Sequence, residues 1–239
     1  MKKRPFAVFD IDGTLIRWQL YHALADELAR RTLLSAEAFK PVRTSRMAWK
    51  NRGSDSSFNE YERTLIGVID ATISTISVDD LRVSCQAVLD VYKDQVYTYT
   101  RDLMSSLRAK NYLLFTISAS QSDIVKLLAE YYQFDDYGGS HYVVKDGYFT
   151  GEKDLLWGAR KTEYLDKLVT KHDANWQGSV AVGDSEGDIL LLSKVERPIA
   201  FNPTKQLFAH AREQKWPVVI ERKNVIYQLE PHHGSYLLA

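Results

Sequence analysis

Phe6-Ala7-Val8-Phe9-Asp10-Ile11-Asp12-Gly13-Thr14-Leu15 is the stretch that decides the fold. Its four leading apolar residues form a short, uninterrupted run, as expected of a strand buried on both faces of a parallel sheet. The run breaks into two carboxylates one residue apart, then a glycine and a threonine. Beyond a strand end the chain can turn both carboxylates toward one place. Gly13 lets the backbone curl close to a bound anion. At average residue usage, D-x-D-G-T followed by Leu or Val arises by chance in roughly 4 of 10,000 chains of this length.

Working outward, Tyr112 to Ile117, Val180 to Val182 and Ile199 to Phe201 are further buried-strand runs, and Val218 to Ile220 is a weaker one. Helical stripes follow, at Ile124, Leu127, Leu128 and Tyr131 and again from Ile189 to Leu192. Strand–helix alternation of this kind predicts an α/β fold with a doubly wound parallel sheet. Tyr142 to Thr150 holds two β-rich pieces around Asp146-Gly147, a hairpin signal.

Trp18 to Tyr97 shows no clear strand. Trp18, Tyr21, Ala25 and Leu28 recur at helical spacing, as do Phe58, Tyr61, Leu65, Val68 and Ile69, and Leu81, Cys85, Val88, Tyr92 and Val96. Arg52 to Ser57 reads as a loop. About eighty residues of helix inserted after the first strand predict a small all-helical cap domain. The expected division is a core of residues 1–16 and 99–239 and a cap of residues 17–98.

Asp184-Ser185-Glu186-Gly187-Asp188 follows Val180-Ala181-Val182-Gly183 and brings two more carboxylates to a strand end. Parallel strands share one C-terminal edge, where ligands bind, so Asp10, Asp12, Asp184 and Asp188 are expected to converge. Four carboxylates in one crevice repel unless a cation holds them, and oxygen-only ligands point to Mg²⁺. Ser118 ends Leu113-Leu114-Phe115-Thr116-Ile117 and precedes a helix start, where backbone N–H groups can cradle phosphate oxygens. Lys161 is the nearest candidate for the compensating cation that an anionic site needs.

In this order the motifs Asp10 to Leu15, Thr116-Ile117-Ser118, Lys161 and Gly183 to Asp188 resemble those of the haloacid dehalogenase (HAD) superfamily of phosphohydrolases. The resemblance runs from about Phe6 to Val219. The helical insertion looks like the cap of the phosphoserine-phosphatase-like subclass. Ser118-Ala119-Ser120, Asp146 to Gly151, and Phe201-Asn202-Pro203 with Trp216-Pro217-Val218 are also similar to that subclass. The resemblance implies a Rossmann-like core, with Asp10 as nucleophile and Asp12 as general acid/base. It implies Mg²⁺ held by Asp10, Asp184 and the Asp12 backbone carbonyl, with Asp188 supporting the metal waters or the lysine. Ser118, its neighbour Ala119 and Lys161 would bind the phosphoryl group.

The activity so implied is Mg²⁺-dependent hydrolysis of a small phosphorylated metabolite through an aspartyl-phosphate. Phosphotransfer, dehalogenation and a non-catalytic phospho-ligand-binding role are the alternatives. Dehalogenation needs the nucleophile but no metal, so Asp12 and the second carboxylate pair weigh against it. The subclass usually carries a glutamate seven residues after the second motif aspartate and an arginine seven after a cap phenylalanine, which hold an amino-acid substrate. Here those positions are Gln19 and Leu65, with Arg63 nearby. Arg43, Arg46 and Lys50 share one helical face, which reads as a solvated face or as a surface that meets a second anionic group.

Composition sets the outer bounds. The 239 residues, 45% of them hydrophobic, suffice for a full core of one to two domains. Lys+Arg 31 against Asp+Glu 31 leaves zero net charge, so a general electrostatic grip on nucleic acid is not expected. The single cysteine, Cys85, excludes an internal disulfide and a thiolate zinc cluster. No run approaches 18 apolar residues, so no membrane span is expected. The basic start from Met1 to Arg4 has too short an apolar run behind it for a signal peptide, and a cytoplasmic location is expected. His232-His233 is a pair and not a tag. Oligomeric state leaves no trace in the sequence.

Overall fold

The computed structural model describes residues 3–54, 56–232 and 235–238. Met1 and Lys2 of the basic start, Asp55 of the loop and His233 of the histidine pair lie outside them. β1 (Pro5–Phe9) runs through the middle of the protein, and Phe6, Ala7, Val8 and Phe9 are all fully buried. Full burial is worth about 1.5–3 kcal/mol for a phenylalanine or valine side chain, so this unbroken run commits the strand to the centre. Alternation splits its faces. Ala7 and Phe9 join one apolar cluster, Phe6 and Val8 another on the opposite side of the sheet.

Four helices follow β1: α1 (Leu20–Arg30), α2 (Ala36–Lys50), α3 (Ser57–Thr72) and α4 (Val78–Tyr92). Ser35 and Ser77 cap α2 and α4 by accepting from Ala38 N and Asp80 N. The chain returns through α5 (Thr98–Ala109), β2 (Leu113–Gln121), α6 (Ser122–Tyr131), β3 (Asp136–Lys145) and β4 (Tyr148–Asp154). Next come α7 (Ala159–Lys171), β5 (Asn175–Gly183), α8 (Ile189–Leu192), β6 (Arg197–Phe201), α9 (Lys205–Gln214) and β7 (Val218–Arg222). A terminal pair, β8 (Val225–His232) and β9 (Ser235–Leu238), completes the described chain.

The sheet order is β4-β3-β2-β1-β5-β6-β7-β8-β9. β3 to β7 in that order pair in parallel, while β4, β8 and β9 add antiparallel edges. The fold is the expected doubly wound parallel α/β sheet. α7, α8 and α9 contribute buried residues to the cluster on the Phe6/Val8 face, and α5 and α6 to the one on the Ala7/Phe9 face. The chain winds from β1 to β2 and β3, then crosses back to β5 on the other side of β1. Strand order therefore reverses between β1 and β5, the switch point at which a ligand crevice opens. The anticipated hairpin turns at Asp146 (φ 52°) and Gly147 (φ 81°), the left-handed pair that a two-residue turn needs.

Buried residues of α1 to α4 belong to the same apolar cluster as the Ala7/Phe9 face of the sheet. The helical insertion also touches the β3–β4 hairpin, where Val78 N donates to Gly147 O (3.0 Å) and Lys153 Nζ lies 2.5 Å from Asp70 Oδ1. β8 and β9 were not anticipated. Their strands are largely exposed and carry no clean apolar alternation, the signal by which a half-buried strand is read.

Candidate active site

Asp10 directly follows β1 and is buried. Its Oδ1 accepts from Lys161 Nζ (2.6 Å), and the same ammonium donates to Asp188 Oδ1 (2.7 Å). Lys161 sits in the first turn of α7 and is buried, so the long stem is spent on reaching this one place. Asp188 is fully buried, and its Oδ2 accepts from Ser185 N (3.1 Å) and Ser185 Oγ (3.0 Å). A Cβ on Gly183 would stand 2.6 Å from Asp188 Cβ, so only glycine lets the 184–188 turn fold back this tightly. Oxygens of Asp10, Asp184 and Asp188 lie within 4.8 Å of one another.

The Asp12 carboxylate has different partners. Its Oδ2 accepts from Ser118 Oγ (2.9 Å) and Ser120 Oγ (2.7 Å), and its Oδ1 accepts from Leu20 N at the start of α1. The structure thus gathers Asp10, Asp184, Asp188 and Lys161 as anticipated, while the Asp12 side chain is held by Ser118 and Ser120 and is not one of the three whose oxygens cluster within 4.8 Å. Ser118, in this arrangement, gives its hydroxyl hydrogen to Asp12 and must turn to meet a phosphoryl oxygen. Ala119 is exposed between the two serines, and its carbonyl accepts from Ser140 Oγ (2.6 Å). Ser120 was named from the sequence only as part of Ser118-Ala119-Ser120 and was given no role in the site. The period of two along β2, which puts residues 118 and 120 on one face, is the signal that carries it.

Electrostatics single out the carboxylate trio. Burial raises the Asp10 carboxyl to about 8 against the pull of Lys161, and Asp188 and Asp12 push it further up. Burial, then Asp10 and Asp188, also raise the Asp184 carboxyl well above its ordinary value. Burial works against the Lys161 ammonium, yet Asp10 and Asp188 hold it strongly protonated. When all three carboxylates are ionised beside the one ammonium they leave two negative charges, which a divalent cation would match. The donor set is all oxygen, which fits Mg²⁺. The pull of Lys161 does not offset burial at Asp10, so a bound cation would be what holds that carboxyl ionised.

The cap positions fall differently. Leu65 is fully buried in the cap interior and Arg63 is exposed. Arg46 is engaged within the cap, with Asp26 Oδ1 at 2.7 Å and Tyr61 OH at 3.0 Å, while Arg43 and Lys50 stay exposed.

The haloacid dehalogenase-like hydrolase family model matches residues 7–193. The phosphoserine phosphatase of Methanocaldococcus jannaschii is 24% identical over 202 residues, 84% of this chain and 86% of that protein. Among solved structures, a Bordetella pertussis Tohama I protein of unknown function superposes with a TM-score of 0.72 at 21% identity, covering 92% of this chain and 99% of that one. A phospho-aspartyl intermediate analogue of phosphoserine phosphatase superposes at 0.63 and 21% identity, covering 93% and 96%. The chain belongs to the haloacid dehalogenase-like hydrolases. By that family it is a hydrolase, and the proteins whose sequence and fold it resembles include phosphoserine phosphatases. No helix among the described residues is long and apolar enough to cross a membrane.

Proposed function

We propose that the protein hydrolyses a small phosphate monoester, using Mg²⁺ and an aspartyl-phosphate formed on Asp10. The observation that carries this reading is the Lys161 ammonium, 2.6 Å from Asp10 and 2.7 Å from Asp188, beside a third carboxylate of the same cluster. Asp10, Asp184 and the backbone carbonyl of Asp12 would hold the metal, with Asp188 behind them. A bound Mg²⁺ supplies charge neutralisation on the phosphoryl oxygens. The division into a core of residues 1–16 and 99–239 and a cap of 17–98 belongs to the same proposal.

Asp10 attacks phosphorus, and the bond from phosphorus to the ester oxygen breaks as the new one forms. Asp12 gives its proton to the departing alkoxide. It then takes a proton from the water that attacks the same phosphorus, which releases inorganic phosphate and restores Asp10. Lys161 spreads positive charge over the equatorial oxygens in both steps. Ser118, swung off Asp12, and the backbone at Ala119 orient the phosphoryl group. Zero net charge favours a small substrate over nucleic acid.

Phosphate release from a panel of monoesters, with and without Mg²⁺, tests the reading. Release is expected only with the metal and is expected to fall at least a thousandfold in Asp10→Asn, about 4 kcal/mol of transition-state stabilisation. Metal-independent release, or an active Asp10→Asn protein, would refute it.

A further inference from the structure

The segment from Leu155 to Gly158, between β4 and α7, crosses the C-terminal edge of the sheet beside the carboxylates. On one side it is tied to the Ser118–Ser120 wall. Leu156 N donates to Ser140 Oγ (3.0 Å), which donates to Ala119 O (2.6 Å). On the other side it meets the 184–188 turn. A Cβ built on Gly187 would stand 2.6 Å from Trp157 Nε1 and 3.2 Å from its Cδ1, so the indole fills the space that any other residue at 187 would occupy. Four residues on, the same segment delivers Lys161 to Asp10. Trp157 therefore sits between the two turns that frame the nucleophile.

Its environment is unusual for a tryptophan. The residue is 58% exposed, and among the described residues its Nε1–H has no hydrogen-bond acceptor. A large apolar ring, held in place by a buried glycine yet left open to solvent at the rim of a site, is a surface for something that arrives. At the two positions where the family resemblance puts the charges that hold an amino-acid ester stand Gln19 and Leu65.

We propose that Trp157 is the specificity-determining residue of this site, its indole receiving the flat apolar face of the group that the phosphate is attached to. The inference rests on the phosphatase reading and names the leaving-group class, an aromatic or heteroaromatic ring or the C–H face of a sugar. Selection is by stacked area, and Gly187 is what allows the ring to lie against the turn.

Phenylphosphonate and methylphosphonate carry no ester bond, so their binding can be followed by calorimetry in the presence of Mg²⁺ without turnover. The wild type is expected to prefer phenylphosphonate by about 5- to 150-fold, the range of one aromatic stack. Trp157→Ala is expected to reduce that preference to under threefold, and Trp157→Phe to keep most of it. Gly187→Ala, which displaces the indole without removing it, is expected to weaken the preference with Trp157 intact. A wild type that binds the two phosphonates alike, or binds neither, overturns the proposal. So does an alanine variant that keeps the preference. Ester cleavage with an unchanged ratio in the variants sinks this proposal and leaves the phosphatase reading standing, whereas a collapsed ratio without any ester cleavage does the reverse. Replacing the phenyl ring by a glycosyl group separates the two sources of a flat face.

Discussion

Arg17 and Glu221, 204 residues apart in the chain, form an ion pair at the root of the helical insertion. The Glu221 side chain is buried at 1% exposure, and it also accepts from Thr98 N (3.1 Å) and Tyr99 N (2.8 Å), the first two backbone donors of α5. A carboxylate at a helix N-terminus satisfies donors that have no partner within the helix. Arg17 in turn donates to Val96 O (2.8 Å) and lies over the Tyr97 ring. One residue of β7 thus clasps both connections of the insertion to the sheet. Glu221→Gln is expected to destabilise the protein by about 1–3 kcal/mol and to speed hydrogen exchange at Thr98 and Tyr99. Urea unfolding and exchange mass spectrometry measure the two effects. Unchanged exchange at those amides would mean that the clasp does not hold the connection.

Gly13 separates backbone need from active-site need. Its φ is +77°, and a Cβ there would fall 2.2 Å from Asp184 Oδ2. Gly13→Ala is expected to reduce phosphate release more than a hundredfold, because Asp184 must leave the cluster. Gly178 has a similar φ of +80°, but its Cβ would meet only Tyr112 OH at 3.4 Å and Pro5 Cβ at 3.6 Å. Gly178→Ala therefore has the same backbone cost, about 1–2 kcal/mol, with activity retained. Equal activity loss in the two variants would remove the special role of Gly13.

The contrast between these glycines marks where sequence stops being informative. The central strands were legible because they are buried on both faces, so every residue from Phe6 to Phe9 is apolar. Asp10, Asp184 and Asp188 were legible because a parallel sheet brings its strand ends to one edge, whereas Lys161, in the first turn of α7, was legible only through the family resemblance and the cation that an anionic site needs. Glu221 carried no signal, since its role depends on partners about 120 and 204 residues away. Trp157 was silent for a similar reason. Its ring matters through Gly187, a contact between two turns that no local period encodes. The split between Asp12 and the other carboxylates was equally hidden, because Ser118, Ser120 and Leu20 N decide it together.

Asp136 links β3 to the end of α7, with Lys171 Nζ at 2.7 Å and His172 Nε2 at 2.6 Å. Burial pushes its carboxyl up, but Lys171, His172 and the Tyr137 N–H outweigh burial and hold it below its ordinary value. A lowered native pKa means that the unfolded chain binds more protons between the two values, so stability rises with pH through that window. The contribution is complete above the ordinary carboxylate pKa and is lost as pH falls through the native one. Asp136→Asn is expected to be less stable than wild type at pH 6.5, by about 1 kcal/mol or less for so exposed a pair. The gap is expected to narrow below about pH 4. Urea midpoints across that range provide the check, and a gap that widens in acid would contradict the assignment.

Metal binding has a readout independent of turnover. A ligand that binds only the folded state stabilises it by about 2.7 kcal/mol at a hundred times its dissociation constant. For a chain of this size that corresponds to a rise of roughly 5–10 °C in melting temperature. Mg²⁺ is expected to produce such a rise in the wild type and little or none in Asp184→Asn, which keeps the shape but loses a ligand charge. An equal rise in both proteins would place the ion elsewhere.

L-Phosphoserine is expected to be a poor substrate, although a phosphoserine phosphatase stands among the relatives. Its ammonium needs an anion and its carboxylate a cation, both shielded from water. Gln19, the residue before α1, offers a neutral dipole at the position where the family resemblance puts an anion. Leu65 lies inside the cap, Arg63 points to solvent-exposed surface, and Arg46 is already paired with Asp26. A missing charge-assisted bond costs about 1.5–3 kcal/mol, or about 10- to 200-fold in kcat/KM. Gln19→Glu is therefore expected to raise kcat/KM for L-phosphoserine about tenfold or more while leaving glycerol phosphate, which has no ammonium, nearly unchanged. The comparison isolates charge recognition from general catalysis, because both esters leave as alkoxides and, on the proposed mechanism, would use the same Asp10, Asp12 and Lys161. If L-phosphoserine leads the ester panel with Gln19 in place, the ammonium is met by a group other than residue 19, and selection at this site runs through charge after all.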